Sequence, residues 1–404
     1  MSMTPDSSPF LLLDDARVQG AGPAKLYQRP VEVITAQQLH EVTPALERIK
    51  AAQSRGLHAA GFLSYEAGIA LEPKLASLPD RRGEGDAPLL WFGLFDEVRE
   101  LDGLTLDAWL KAQQTGRDVL APAGAVPRIS ASDYELAFDA VRAAIIAGDI
   151  YQANLTFPCH VSVGPDPVAY YRAVRPHAAA GHGALAFTGD HWLLSFSPEL
   201  FFALEGQELT TRPMKGTALR SDDPAQDAAN AAELRADPKQ RAENLMIVDL
   251  LRNDLSRVAE AGSVHVPDLF TVESYPTVHQ MVSTVKGRLR AGLSAVDALA
   301  HLFPCGSITG APKIRAMEII HQVEPYARGP YTGSIGVIEA NGNALFNVAI
   351  RTITVKKGDV QGVIGLGSGL VVDSAAMSEW QECLDKGLFL SSCGQGARDE
   401  RGGA

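Results

Sequence analysis

Long apolar runs are missing from this 404-residue chain. No stretch approaches the roughly 18 consecutive apolar residues of a membrane-spanning helix, and the opening MSMTPDSSPF lacks the basic start and apolar core of a secretory signal. The expectation is a cytoplasmic protein with no membrane partner. Cysteine is scarce. Cys159, Cys305, Cys383 and Cys393 are scattered, without a CxxC pair or a His cluster, which excludes a disulfide framework or a zinc site and predicts reduced thiols. Positive charge is in deficit: 36 Lys and Arg against 48 Asp and Glu give −12, which argues against nucleic acid as a partner. No internal repeat stands out. With 46% hydrophobic residues the chain can bury a large core in two or three domains.

The clearest seam is the Ala-, Pro- and Gly-rich stretch at 116–127, read as a linker. It divides an N-terminal region, 1–115, from a larger region, 128–390, and the polar residues 391–404 read as a disordered tail. Before the seam, LLLDDARV, GFLSYEAGIAL and LLWFGLFDEV read as strands and TPALERIKAAQSRG as a helix ending at Gly56. After it, SASDYELAFDAVRAAIIAGD is an amphipathic helix with Ser132 as its cap and Glu135 three positions on. Alternating runs follow: GALAFTG, HWLLSFS and LFFALEG, then IGVIEA, ALFNVAIRTITV and VQGVIGLGSGLVV. Between these groups lie the helical stretch PKQRAENLMIVDLLRNDLSRVA and shorter helices at 294–303 and 312–323. Strands grouped apart from helices indicate an α+β fold with antiparallel sheets.

Two constellations carry chemistry. Lys215 follows the hairpin pattern LFFALEGQELTTRP, whose other end carries Ser197-Pro198-Glu199. A hairpin brings its ends together, so an amine and an acid meet. An amine becomes nucleophilic when burial or a second cation lowers its pKa, and the acid can protonate a leaving hydroxyl. The bland alternative is a surface lysine in a β-turn. The second constellation is the last helix, AAMSEWQECLDKGLFL, expected to start from Asp373 or Ser374 as cap. At about 100° per residue, Glu379, Glu382 and Lys386 share one stripe. Two carboxylates one turn apart suit a hard cation such as Mg²⁺, or form a solvated face with a Glu382–Lys386 ion pair.

The stretches PMKGT, RAENLMIVDLLRNDLSRV, FPCGSITGAPKIRAMEII, RGPYTGSIG, FNVAIRT and GLGSGLVVDSAAMSEWQECLDK resemble the chorismate-utilising enzymes, the family of anthranilate, isochorismate, salicylate and aminodeoxychorismate synthases. Six blocks in the family's order, over roughly residues 130 to 390, carry the resemblance. It implies two packed antiparallel β-sheets with helices on the outside, an anthranilate synthase component I-like fold. It also implies a Mg²⁺ site on Glu243, Glu379 and Glu382, with Gln240 where relatives often have a further acid. Tyr331 and Arg351 would take the enolpyruvyl carboxylate. Lys386 would face the ring carboxylate, helped by backbone N–H groups at Gly216, Thr217 and Gly369, and Ser307 would lie near the substrate. From its sequence Arg351 falls in an apolar strand, and Glu243 opens the long helix, where capping is its bland explanation.

Branch-specific residues narrow the resemblance. Water-adding relatives use a lysine where this chain has Gln152, so water addition is disfavoured. Anthranilate-forming relatives lack the lysine of PMKGT and carry a histidine associated with pyruvate loss. The aligned residue here is Gln280, or His279 after a one-residue shift. The resemblance therefore implies amination of chorismate at C4 with ammonia, Glu199 acting as acid and Lys215 as nucleophile. Formation of anthranilate is the alternative. Ammonia would come from a separate glutamine amidotransferase subunit. Two other motifs dissolve: in GLGSG, Leu370 and Val372 break both GxGxxG registers, and Cys393 lies in a polar tail without the strand and helix a glutaminase nucleophile needs.

Overall fold

A computed structural model describes residues 8–116, 122–275 and 278–391. Among these, the strands form two sheets in which every pairing is antiparallel. One sheet runs in space from Gly310–Ala311 through Gln152–Ser162, Gln361–Leu370, Thr352–Lys356, His191–Ser195, Gly183–Phe187, Phe10–Asp14 and Ala24–Gln28 to Arg99–Leu101. The other runs from Met214–Leu219 through Val278–Arg288, Glu208–Arg212, Leu200–Glu205, Ala344–Asn347, Ser334–Ile338, His58–Leu63 and Leu90–Phe95 to Glu32–Ala36. Each sheet thus mixes strands from before and after the 116–127 stretch. Residues 117–121 lie outside the described residues, and Val126–Pro127 pairs with Gln152–Ser162.

The inner faces of the two sheets meet through Leu11, Ala184, Ala186 and Leu193 on one side and Ala60, Phe62, Trp91, Ile335 and Val337 on the other. Small residues facing large ones let the layers interdigitate. Helices cover the outer faces and bury Val42, Leu46, Ile49, Phe138, Val141, Ile247, Leu251 and Ile320 in a continuous apolar cluster. The α+β architecture expected from the sequence is the one observed.

Local readings shift where a polar side chain finds a better partner. The strand read in GFLSYEAGIAL ends at Leu63, and Ala67–Leu71 is helical, because the Glu66 carboxylate turns inward to accept the backbone N–H groups of Arg328 and Gly329. The helix Ala131–Ile146 is capped by Ser130 with Asp133 in a reciprocal box, not by Ser132. The last helix, Ala376–Asp385, starts after Ala375. Ser374 instead accepts from the N–H of Val371 and donates to Glu379. Pro312 precedes its helix, Lys313–Val323, rather than lying in the first turn. Of the tail read as disordered, residues 392–404, with Cys393, lie outside the described residues.

Candidate active site

Lys215 stands on an edge strand, Met214–Leu219, and not in a turn as its sequence suggests. Pairing with Val278–Arg288 joins Met214 to Val282 and Thr217 to Gln280, and the register shifts between them. Lys215 and Gly216 occupy this bulge, with Gly216 at φ +98, a left-handed value that favours glycine. Bulges re-aim side chains beside active sites. The long helix Pro238–Ser256 fixes this one: Asn244 donates its amide to the Lys215 carbonyl, 3.3 Å, and accepts from Ser283 Oγ at 2.6 Å. Burial, then the neighbouring Lys386, lowers the Lys215 amine below the ordinary lysine range, against the opposing pull of Glu199, Glu243 and Glu382. That is the condition for a nucleophilic amine.

The hairpin joining Leu200–Glu205 to Glu208–Arg212 pairs Leu200 with Arg212, so its open end brings Glu199 beside the lysine strand. Glu199 is 6% exposed, and burial pushes its carboxyl up to about 7. Ser307, in the tight turn Gly306–Ile308, donates its hydroxyl to Glu199 Oε1 at 2.7 Å and, with Lys215 and Lys386, moderates that rise. A carboxyl poised near neutrality can deliver a proton at physiological pH.

The floor of the site is the strand Gln361–Leu370, where alternate residues Gly365, Gly367 and Gly369 lie on one face. A Cβ at Gly365 would lie 2.0 Å from the Tyr331 ring, and one at Gly369 would lie 2.8 Å from Gln152 Nε2 and 3.2 Å from Lys215 Nζ. The backbone is bare because side chains from elsewhere close over it. The Gln152 amide nitrogen is buried there without a hydrogen-bond partner. Lys386 Nζ donates to the Gly367 carbonyl at 2.9 Å and pairs with Glu382 at 2.8 Å. Arg351 is not in a strand. It occupies the crossing between Ala344–Asn347 in one sheet and Thr352–Lys356 in the other, at φ +50. Its guanidinium stacks on Phe389, 5.4 Å to the ring centre. No acid among the described residues pairs with it, and burial lowers its pKa. A half-buried guanidinium without a counter-ion carries a desolvation cost, and a substrate carboxylate would relieve it.

Glu243, Glu379 and Glu382 converge from two helices. Glu243 sits in the second turn of its helix, whose cap is Asp237 accepting from Lys239 and Gln240. Capping therefore does not explain it. Burial, with added repulsion from Glu382 and Glu379, raises the Glu243 carboxyl despite Lys215 and Lys239. Burial also pushes Glu382 up, but Lys386, followed by Lys215 and Lys239, holds it below the usual range. No group of three or more His, Cys, Asp or Glu among the described residues has metal-holding geometry. The donor set nevertheless suits Mg²⁺ in kind. It comprises three hard carboxylates whose mutual repulsion a cation would cancel.

The profile of the family described as chorismate binding enzyme matches residues 8–391. The chain belongs to that family. Among curated relatives, aminodeoxychorismate synthase component 1 of Klebsiella aerogenes is 39% identical over 350 residues, covering 81% of this chain and 75% of the relative. The protein of the same name from Escherichia coli (strain K12) is 41% identical over 281 residues, covering 69% and 62%. Among solved structures, anthranilate synthase component I from Streptococcus pneumoniae TIGR4 superposes with a TM-score of 0.77 at 26% identity, covering 92% of each chain.

Within this chorismate binding enzyme His279 and Gln280 have different surroundings. The Gln280 amide donates to the Gly216 carbonyl at 2.9 Å and accepts from Thr217 Oγ1 at 3.2 Å, so it lies against the lysine bulge. His279 faces away, between Ser274 and Asp227. The sequence signal for Asn244 is a polar residue at the head of the apolar row Ile247, Val248 and Leu251, at helical spacing. No helix among the described residues is long and apolar enough to cross a membrane.

Proposed function

We propose that this chain aminates chorismate at C4, giving 4-amino-4-deoxychorismate for 4-aminobenzoate and folate synthesis. It would do so in the cytoplasm, with Mg²⁺ bound and with ammonia from a separate glutamine amidotransferase subunit. The observation that carries this reading is the meeting of half-buried Lys215 with buried Glu199, an amine lowered below the lysine range and a carboxyl raised to about 7. Names of the relatives point the same way.

Arg351, Tyr331 and Lys386 would hold the two substrate carboxylates, placing C2 at Lys215 Nζ and the 4-hydroxyl at Glu199. The Lys215 lone pair bonds to C2 while the ring double bonds move to C1=C6 and C4=C5. The C4–O bond breaks, and the Glu199 proton leaves with the oxygen as water. Ammonia then bonds to C4, the double bonds return to C1=C2 and C5=C6, and the lysine departs as amine. Solvent reprotonates Glu199. Mg²⁺, held by Glu243 and Glu382 with Glu379 in support, would supply charge neutralisation at a substrate carboxylate.

The competing reading, formation of anthranilate, draws on the likeness to the streptococcal structure. It is disfavoured because Gln280, which cannot take up a proton, lies at the bulge while His279 faces elsewhere. Incubating the protein with chorismate, Mg²⁺ and ammonium and weighing the product separates them. An aminated product retaining the enolpyruvyl group is expected, and anthranilate with free pyruvate would overturn the assignment.

A metal prediction follows from the acids. Glu382→Gln or Glu243→Gln is expected to raise the Mg²⁺ concentration for half-maximal activity by about tenfold or more, and Glu379→Gln by less. A Mg²⁺ titration of initial rates checks this, and unchanged curves in both of the first two variants would remove these residues as ligands.

A further inference from the structure

Glu324 and Arg328 form an ion pair whose side chains are each 2% exposed, with the guanidinium 4.5 Å over the Tyr65 ring. A buried pair of this kind contributes little net stability, because desolvation offsets the attraction. Its hydrogen bonds show a different use. Arg328 gives Nε and Nη2 to the two Glu324 oxygens at 2.8 and 2.7 Å. The same Nη2 reaches the Asn154 carbonyl at 2.7 Å, and Nη1 reaches the Ile308 carbonyl at 3.0 Å. Glu324 accepts from the N–H and hydroxyl of Thr156 at 2.8 and 3.1 Å.

Every one of these partners belongs to a segment that bears on the site. Ile308 follows Ser307, whose hydroxyl sits on Glu199. Asn154 and Thr156 pair in register with Gly369 and Gly367 on the glycine floor. The backbone N–H groups of Arg328 and Gly329 are held by Glu66, fixing the turn that leads to Tyr331. The pair touches neither Lys215 nor Glu199.

Resting on the chorismate-aminating reading, we propose that Arg328, locked by Glu324, is a positioning residue that anchors the Gly306–Ile308 turn so that Ser307 stays on Glu199. A guanidinium is needed because one planar fork must serve a carboxylate and two carbonyls on different segments. Lysine at this position keeps the charge beside Glu324 but cannot reach all of them.

The test reads Glu199 itself. Infrared spectroscopy of the protonated carboxyl band, assigned by its loss in Glu199→Gln, is followed against pH in the wild type, Arg328→Lys and Ser307→Ala. Ser307 donates to the charged form, so losing it raises the titration midpoint. An upward shift of roughly half a unit or more is expected in both variants, with no further shift in the double variant. The pH limit of chorismate consumption at which activity falls should move with it. A wild-type midpoint in folded Arg328→Lys, no shift in Ser307→Ala, or additive shifts in the double variant would each overturn the proposal. Because the band is read without turnover, a wrong assignment of the reaction leaves this result intact. Should Arg328→Lys not fold, Glu324→Gln loosens the same turn and must show the same shift.

Discussion

Lys215→Ala is expected to abolish a covalent adduct and to lower ammonia-dependent turnover by about a thousandfold while leaving the fold intact. The side chain enters a site whose walls are formed by other elements. The bulge that carries it is held through backbone, by the Asn244 amide on the Lys215 carbonyl and the Gln280 amide on the Gly216 carbonyl. Alanine keeps those bonds and removes only the amine. The amine is better able to react because burial and Lys386 both disfavour its charged form, which enlarges its neutral fraction relative to that of an exposed lysine. Residual turnover by direct attack of ammonia at C4 remains open to the variant, since Glu199 and Ser307 are untouched. Intact-protein mass after rapid quenching decides the matter. The wild type should gain the mass of chorismate less water during turnover, and the alanine variant should gain nothing. If the wild type shows no adduct under conditions that preserve one, the nucleophilic role fails.

The meeting of Lys215 and Glu199 was legible because a hairpin needs only local pattern: two alternating runs, a Gly turn, and ends that must coincide. The acidic stripe was legible for a similar reason, since helical periodicity alone puts Glu379, Glu382 and Lys386 together. What was not legible depends on partners far away in sequence. The bulge at Gly216 exists only because of its register against Gln280 and Val282, so the sequence showed a turn where the fold makes a strand. Arg351 looked like a strand residue because ALFNVAIRTITV alternates without a break. The chain nevertheless leaves one sheet for the other there, and the positive φ of Arg351 accommodates the crossing. Glu324 and Arg328 stand four residues apart in the sequence, and nothing local shows that Asn154 and Ile308 will face them. The two helix caps were misplaced by one or two residues, since several Ser and Asp residues compete and backbone geometry chooses.

Glu199→Gln is expected to lower turnover by about a thousandfold and, at the same time, to stabilise the protein at neutral and alkaline pH. The first effect follows from losing the acid that Ser307 holds beside Lys215, general acid catalysis contributing about 10² to 10⁴-fold. The second follows from the proton. In the folded chain Glu199 keeps its proton up to about pH 7, against an ordinary value of 4.5. Between those values the folded state binds the extra proton, so stability falls as pH rises through that window and stays lower above it. The penalty on the wild type reaches about 3 kcal/mol when fully developed, and Gln, neutral throughout, does not incur it. Denaturant midpoints of the two proteins should lie closest near pH 5 and diverge by pH 8 in favour of the variant. The wild-type rate should also fall as pH rises past about 7, where Glu199 can no longer donate. A stability difference that does not change between pH 5 and pH 8 would show that Glu199 holds no such proton. Near-normal turnover in the variant would show that the proton, if held, is not the one delivered to the leaving hydroxyl.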